Sequence, residues 1–263
     1  PEASVTYRFF LAAILMFGLA KFKGREIWTG FAQQRWMIFL GFLYAINYIF
    51  VYRAEMQISS GLVAVAGSAI LFFNIVLSRI IFGHPITKAL ALGSLFGFGG
   101  IVVLFLPDLL AFSTAHVYGV TFTLIASFGA SCANIVAMRN SNAGISVTTT
   151  NAWWMFWCAV FTAISVPLLG HEFTFAWTFS YVTSLLYLAV FGSVIAFSAY
   201  LTLLKRLGPG QAGYVAVLTP VVALLISTLF EDLRWQWSMY VGTALIIVGQ
   251  ILVVRSKGKM AER

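Results

Sequence analysis

Acidic residues are scarce. There are eight Asp and Glu among 263 residues, against 16 Lys and Arg, and charged residues of both signs make up only 9% of the chain. A soluble domain carries about 25% charged residues, so this composition excludes one, in line with a mean hydropathy of +0.94. Cysteine is nearly absent: Cys132 and Cys158 both fall inside apolar runs with no paired spacing. That excludes a disulfide framework or a thiolate metal cluster and leaves two buried apolar thiols. No Asp or Glu lies in the middle of an apolar run, and His84, His116 and His171 sit at run ends or in connections. There is no paired carboxylate, metal-ligand spacing, nucleophile motif or phosphate loop, so this chain does not hydrolyse ATP and an intramembrane enzyme would lack its catalytic pair. Neither a cofactor nor a metal is expected. Without an ionisable residue at depth, transport down the substrate's own gradient is favoured over ion coupling.

What the chain does have is apolar length. Hydrophobic residues make up 61%, with 25 Phe, 10 Tyr and 8 Trp. Nine apolar segments follow one another: 3–20, 36–52, 61–82, 87–106, 117–137, 148–169, 181–204, 211–230 and 237–254. Each is near the ~20 residues that cross a bilayer as a helix. Helix-stop signals separate them at Gly24, at Gly83 with Pro85, at Pro107, at Gly170 and at Gly208-Pro209-Gly210. The connections are too short for a separate soluble domain.

The cations set the orientation. Taking alternate connections, one side holds Lys21, Lys23, Arg25, Arg35, Arg79, Lys88, Arg139, Lys205, Arg206, Arg255, Lys257, Lys259 and Arg263, and the other only Arg53 and Arg234. The positive-inside bias puts the first side and the C-terminus in the cytoplasm. The net charge of +8 is therefore a topology signal and not a nucleic-acid footprint.

The chain also repeats itself. Gly-x-Val-Ala-Val occurs at Gly61–Val65 and at Gly213–Val217, and Gly93 and Gly100 are spaced as Gly242 and Gly249 are. Ser4-Val5-Thr6 opens the first run and Ser146-Val147-Thr148 the sixth. A whole run precedes the second string and none the first, which predicts one further helix before Pro1 in the native protein. The expected fold is all-α and integral to the membrane, with nine transmembrane helices here and ten in the native chain. They form two repeats of five, inverted because five is odd. Residues 1–106 form the first repeat without its first helix, 117–254 the second, and 255–263 a cytoplasmic tail.

These strings resemble a known family. Ala196-Phe-Ser-Ala-Tyr-Leu-Thr-Leu-Leu-Lys-Arg, Leu218-Thr-Pro-Val-Val-Ala, Leu229-Phe-Glu-Asp and the glycines at 242 and 249 are similar to the second EamA repeat of the drug/metabolite transporter superfamily. Arg8-Phe-Phe-Leu-Ala-Ala, Gly61–Val65 and Phe82-Gly-His-Pro-Ile-Thr are similar to the first. Two positions depart from the pattern: Ser68 stands where proline is common, and His84 where glutamate is common. The resemblance implies a ten-helix carrier with a central cavity and alternating access. The aromatic content is most similar to the YddG type, bacterial inner-membrane exporters of amino acids. The leading expectation is a secondary transporter exporting amino acids or similar small metabolites across the inner membrane. Its partners would be the bilayer and a small molecule, with no nucleic acid and no obligate protein. A multidrug or cationic-compound exporter of the same superfamily is the alternative, and a non-transporting membrane scaffold is another.

Candidate substrate-binding residues come from polar and aromatic positions inside the runs. Tyr44, Asn47, Tyr48 and Tyr52 fall on one helical face, either a substrate wall or a helix contact. Thr123, Ser127, Ser131 and Asn134 recur at helical spacing. The hydroxyls suit packing, and Asn134 either lines a cavity or bonds between helices. Trp153 and Trp157 share a face, with Trp154 about 100° round, so the three cannot all face lipid; they serve either as interface anchors or as lining of the pathway. Ser193 and Tyr200 lie two turns apart with Phe197 between, and Tyr214 leads into Thr219-Pro220. Ser68, Thr219 and Pro220 are the candidate hinge positions, proline giving either a gating hinge or a static kink. Arg8, the cation set deepest inside a run, either snorkels to headgroups or holds a buried partner: an aromatic face, a backbone carbonyl or a substrate carboxylate.

Overall fold

The computed structural model describes residues 2–58, 60–106, 110, 114–230 and 235–261. Pro107 with Asp108, residues 231–234, the side chain of His116, the side chains beyond Val253 and the last two residues lie outside that description. The described residues are helical, with no strand among them. In chain order the helices are α1 Glu2–Phe22, α2 Phe31–Glu55, α3 Ser60–Gly67, α4 Ile70–Phe82, α5 Lys88–Leu104, α6 Thr114–Asn142 and α7 Val147–Leu168. Then come α8 Phe179–Ala189, a π-helical segment Val190–Ile195, α9 Ala196–Leu207, α10 Pro209–Ala212, α11 Tyr214–Phe230 and α12 Trp237–Ala261. Among the described residues, five stretches are long and apolar enough to cross a membrane: Glu2–Phe22, Phe31–Glu55, Val117–Asn142, Val147–Leu168 and Phe179–Leu207. Large apolar side chains are exposed on these helices, Phe10 at 52%, Tyr187 at 62% and Phe191 at 54%, which water would penalise and lipid accepts.

Helix starts follow from hydroxyl caps. Thr87, Ser146 and Thr178 accept from the backbone N–H of Leu90, Thr149 and Tyr181 and so open α5, α7 and α8. Gly83 ends α4 at φ +70, a left-handed turn suited to glycine.

Two of the expected runs are interrupted. The third breaks at Ser68 and Ala69, between α3 and α4. A break frees backbone groups, which must find partners in a bilayer, and here the Ser127 hydroxyl donates to the Gly67 carbonyl at 3.2 Å. The eighth breaks at Gly213, and α11 runs on through Pro220. A Cβ on Gly213 would stand 2.9 Å from Asn74 Nδ2 and 3.2 Å from Leu71 Cδ1, so a larger residue there would have to displace the ends of both side chains.

The chain divides into two compact units, each drawing on both halves of the sequence. One comprises residues up to Ile49 with Cys132–Arg206, the other Phe50–Ser131 with Leu207 onward. Within the first, α1 and α7 pack antiparallel: the Thr6 hydroxyl donates to Thr162 Oγ1 at 3.0 Å near one end, and Phe17 meets Trp153 at 5.1 Å near the other. Within the second, α5 and α12 cross antiparallel through their glycines, Gly93 against Gly249 and Gly100 against Gly242. Lipid removes the hydrophobic drive between helices, so such pairs rely on close van der Waals approach of small residues.

Candidate substrate site

In the first unit an aromatic cluster gathers around Trp154, which is fully buried. Tyr44 of α2 lies on it with ring centroids 4.1 Å apart, Phe197 of α9 at 4.8 Å and Phe9 of α1 at 5.4 Å. Tyr48, one turn beyond Tyr44, meets Phe9 edge-on at 4.8 Å. Helical spacing explains the convergence: Tyr44 and Tyr48 share a face of α2, and Phe9 and Trp154 face each other across the α1–α7 pair.

Polar groups sit among these rings. Trp154 Nε1 donates to Asn151 Oδ1 at 2.8 Å, and Asn151 Nδ2 donates to Ser198 Oγ at 3.3 Å. Tyr200 is hydrogen-bonded with the Asn134 side chain. Tyr44 is only 4% exposed, and its hydroxyl has no hydrogen-bond partner among the described residues. An unmet buried hydroxyl costs about 1–3 kcal/mol, which makes it a feature requiring a reason.

Arg8 lies at the edge of the cluster. Its Nε–H donates to Ser193 Oγ at 2.8 Å and its Nη2–H to the Gly192 carbonyl at 2.9 Å. Its guanidinium carbon is 5.2 Å from the Phe9 ring centroid and 5.7 Å from that of Tyr48. Of the openings the sequence left for Arg8, the structure shows two, an aromatic face and a backbone carbonyl. Its acceptors lie in the π-helical segment, where Ser193 Oγ also donates to Leu188 O, five residues earlier, at 3.1 Å. Such π-turns occur often at functional sites.

The structure thus brings Tyr44, Tyr48, Asn134, Trp154, Ser193 and Tyr200 into one unit, with Asn47 half-buried on the same helix as Tyr48. Trp153 points elsewhere in that unit: its Nε1–H donates to Ile27 O at 2.7 Å, and its ring meets Phe17 and Trp28. Tyr214, Ser68, Thr219 and Pro220 belong to the other unit. Tyr214 is buried with Leu71, Ile75 and Val217, its hydroxyl beside Gly93. Thr219 returns its hydroxyl to Val215 O at 2.8 Å on its own helix. His84 pairs with Ser78 at 2.8 Å beside a cavity of about 210 Å³ that Gln211 also lines. Among the described residues, no three His, Cys, Asp or Glu side chains converge as metal ligands would.

Sequence reasoning missed Phe9 and Gly192. Phe9 carried a signal, because it stands beside the cation set deepest within a run. Gly192 carried none.

Beside this helical fold, with one antiparallel pair packed through glycines and a polar, aromatic interior, the profile of the EamA-like transporter family matches residues 1–106 and 117–255. The chain belongs to the EamA-like transporter family. It is thereby a membrane transporter of the drug/metabolite transporter superfamily. Among curated proteins it is similar to the uncharacterized inner membrane transporter YedA of Escherichia coli K12, 26% identical over 98% of this chain and 82% of YedA. Protein PecM of Dickeya dadantii is 25% identical over 83% of this chain and 73% of its own. An uncharacterized transporter of Archaeoglobus fulgidus is 23% identical over 98% and 90%. A solved crystal structure superposes with a TM-score of 0.83 over 99% of this chain and 89% of its own at 16% identity, a likeness of fold.

Proposed function

We propose that this transporter exports amino acids or similar small metabolites across the inner membrane by alternating access, with its C-terminus in the cytoplasm. The repeats, residues 1–106 and 117–254, would be inverted copies of a five-helix unit. The antiparallel α1–α7 and α5–α12 pairs support that arrangement, since each joins helices carrying matched strings, Ser-Val-Thr in the first case and glycines seven apart in the second.

The observation that carries the substrate reading is the Tyr44 hydroxyl, buried among aromatic rings without a partner. In a bilayer a polar group in that condition marks a pathway. A small zwitterion would hydrogen-bond it and lay its side chain on the rings. The polar neighbours Asn47, Asn134, Ser193 and Tyr200 extend the same site, and Ser68 marks a break where a helix can bend. A cationic drug would also value aromatic faces, but Arg8 places a like charge beside them.

Uptake of labelled amino acids into proteoliposomes, with and without proton and sodium gradients, tests the reading. Saturable uptake that ignores both gradients, and is weakened by Tyr44→Phe, is expected. Folded protein that takes up none of the panel but does take up lipophilic cations would transfer the proposal to drug export.

A further inference from the structure

The geometry points to Arg8 as the group that receives the substrate's carboxylate, presented by the π-helical turn at Gly192 and Ser193. This deepens the transport reading above and rests on it. A guanidinium has five N–H donors, and two are committed, to Ser193 Oγ and Gly192 O. Both acceptors are neutral. Among the described residues no carboxylate lies within ion-pair distance of Arg8. The side chain is half-buried, with the faces of Phe9 and Tyr48 beside it. A cation held this way is oriented without being neutralised, and the low dielectric around it strengthens its attraction for an anion.

The π-turn explains how the orientation is achieved. Its wider ladder lets the Gly192 carbonyl turn to Arg8, while the Ser193 hydroxyl accepts from Arg8 and donates to Leu188 O. Gly192 has no side chain to intervene; a Cβ there would come within 3.3 Å of Arg8 Nη2. With Nε and Nη2 anchored, the remaining donors present the planar fork that pairs with a carboxylate. The half-buried ring of Tyr48 beside it accepts an apolar or aromatic side chain. The ligand class is thus a monocarboxylate with an apolar group close to the acid, as in neutral and aromatic amino acids.

The test compares each labelled amino acid with its own amide, which keeps the side chain and the amine and loses the negative charge. In proteoliposomes, wild-type protein should favour the acid in kcat/KM by about ten-fold or more, the factor given by a charge-assisted hydrogen bond. Arg8→Gln should lower acid uptake and leave amide uptake, bringing the ratio near one, and Arg8→Lys should give an intermediate ratio. The ratio does not depend on how much protein is folded, so a general loss of structure would leave it unchanged. A ratio in Arg8→Gln equal to the wild type's, or a wild type indifferent to the amide, overturns the assignment and leaves amino-acid transport standing. A wild type that carries neither ligand overturns the transport reading itself, and this inference with it. Should the variants fail to assemble, wild-type protein is treated with phenylglyoxal and the Arg8 peptide is followed by mass spectrometry. Protection by the acid and not by the amide is expected, and protection by neither overturns the assignment.

Discussion

Adding one methyl group to Gly100 should force α5 and α12 apart. A Cβ there would stand 2.7 Å from Gly242 O, 2.8 Å from Ile246 Cγ1 and 2.9 Å from Ile246 N. Carbon contacts are comfortable at about 3.5–4.0 Å, and two of these three neighbours are backbone, so no rotamer change relieves the clash. The helices must separate by up to about 1 Å, which forfeits a quarter to a half of the dispersion energy along their contact. Overpacking of this kind costs about 1–3 kcal/mol. Alanine also gains up to ~1 kcal/mol in helix propensity over glycine, which would blur the result for a single variant. Gly99, the adjacent residue, removes that ambiguity, since a Cβ there meets nothing within 4 Å. Gly99→Ala receives the propensity gain without the clash, so Gly100→Ala should be less stable than Gly99→Ala by ~1–3 kcal/mol in reversible unfolding from mixed micelles. Gly242→Ala should behave as Gly100→Ala does, its Cβ lying 2.6 Å from Gly100 O. The double variant should cost less than the sum, because the first alanine has already opened the gap. Equal stability of Gly99→Ala and Gly100→Ala would refute the packing argument.

Three further outcomes follow from single contacts. Tyr44→Phe removes a buried hydroxyl without a partner, so stability should be unchanged or up to ~1 kcal/mol higher while KM for a transported amino acid rises. A destabilised Tyr44→Phe would show that the hydroxyl is bonded within the protein. Trp153→Phe loses the bond to Ile27 O and should cost ~1 kcal/mol in unfolding without changing the order of preference among substrates; an altered order would return Trp153 to the pathway. Ser131→Ala loses the hydrogen bond from its hydroxyl to Asn74 Oδ1 at 2.8 Å, and the same unfolding assay should register ~0.6–1 kcal/mol, the scale of such bonds between membrane helices.

Those features of the fold that arise within one helix were legible in the sequence. Apolar runs announce spans because lipid contact demands length and hydrophobicity, and glycines seven apart announce a packing face because the helix returns them nearly to one side. One interruption falls at Ser68, which the sequence singles out as a hinge candidate, but the residues that hold the interruptions lie on other helices and were not legible. The break after Gly67 is held by Ser127, 60 residues away. The π-turn at Gly192 and Ser193 is met by Arg8, 184 and 185 residues away. Proline at 220 is a visible breaker by local rules, yet α11 continues through it while the interruption falls at Gly213, where Asn74 and Leu71 press close. The tryptophans show the same division. Helical geometry predicted that Trp153 and Trp154 point apart, but not that Trp154 would be the one facing Tyr44 and Phe197.

The two copies of the repeated pattern therefore carry different kinds of information. Where they agree, at the glycines, the agreement serves helix packing: Gly93 meets Gly249 and Gly100 meets Gly242, so each glycine needs its counterpart at the crossing. Where they disagree, the residues reach the candidate site. Aligned on their Ser-Val-Thr strings, Arg8 stands opposite Thr150, and Phe9 opposite Asn151. An amino acid is itself asymmetric, with an acid at one end and a side chain at the other, and a strictly symmetric cavity would offer the same group to both. On the proposed reading, placing the guanidinium and its neighbouring ring on α1, and the amide that orients Trp154 on α7, would break that symmetry at two positions. On this argument Thr150→Arg would put a second cation on α7 without the π-turn to orient it. It should fail to restore acid-over-amide preference to Arg8→Gln; restoration would mean that charge alone, and not its presentation by Gly192 and Ser193, selects the substrate.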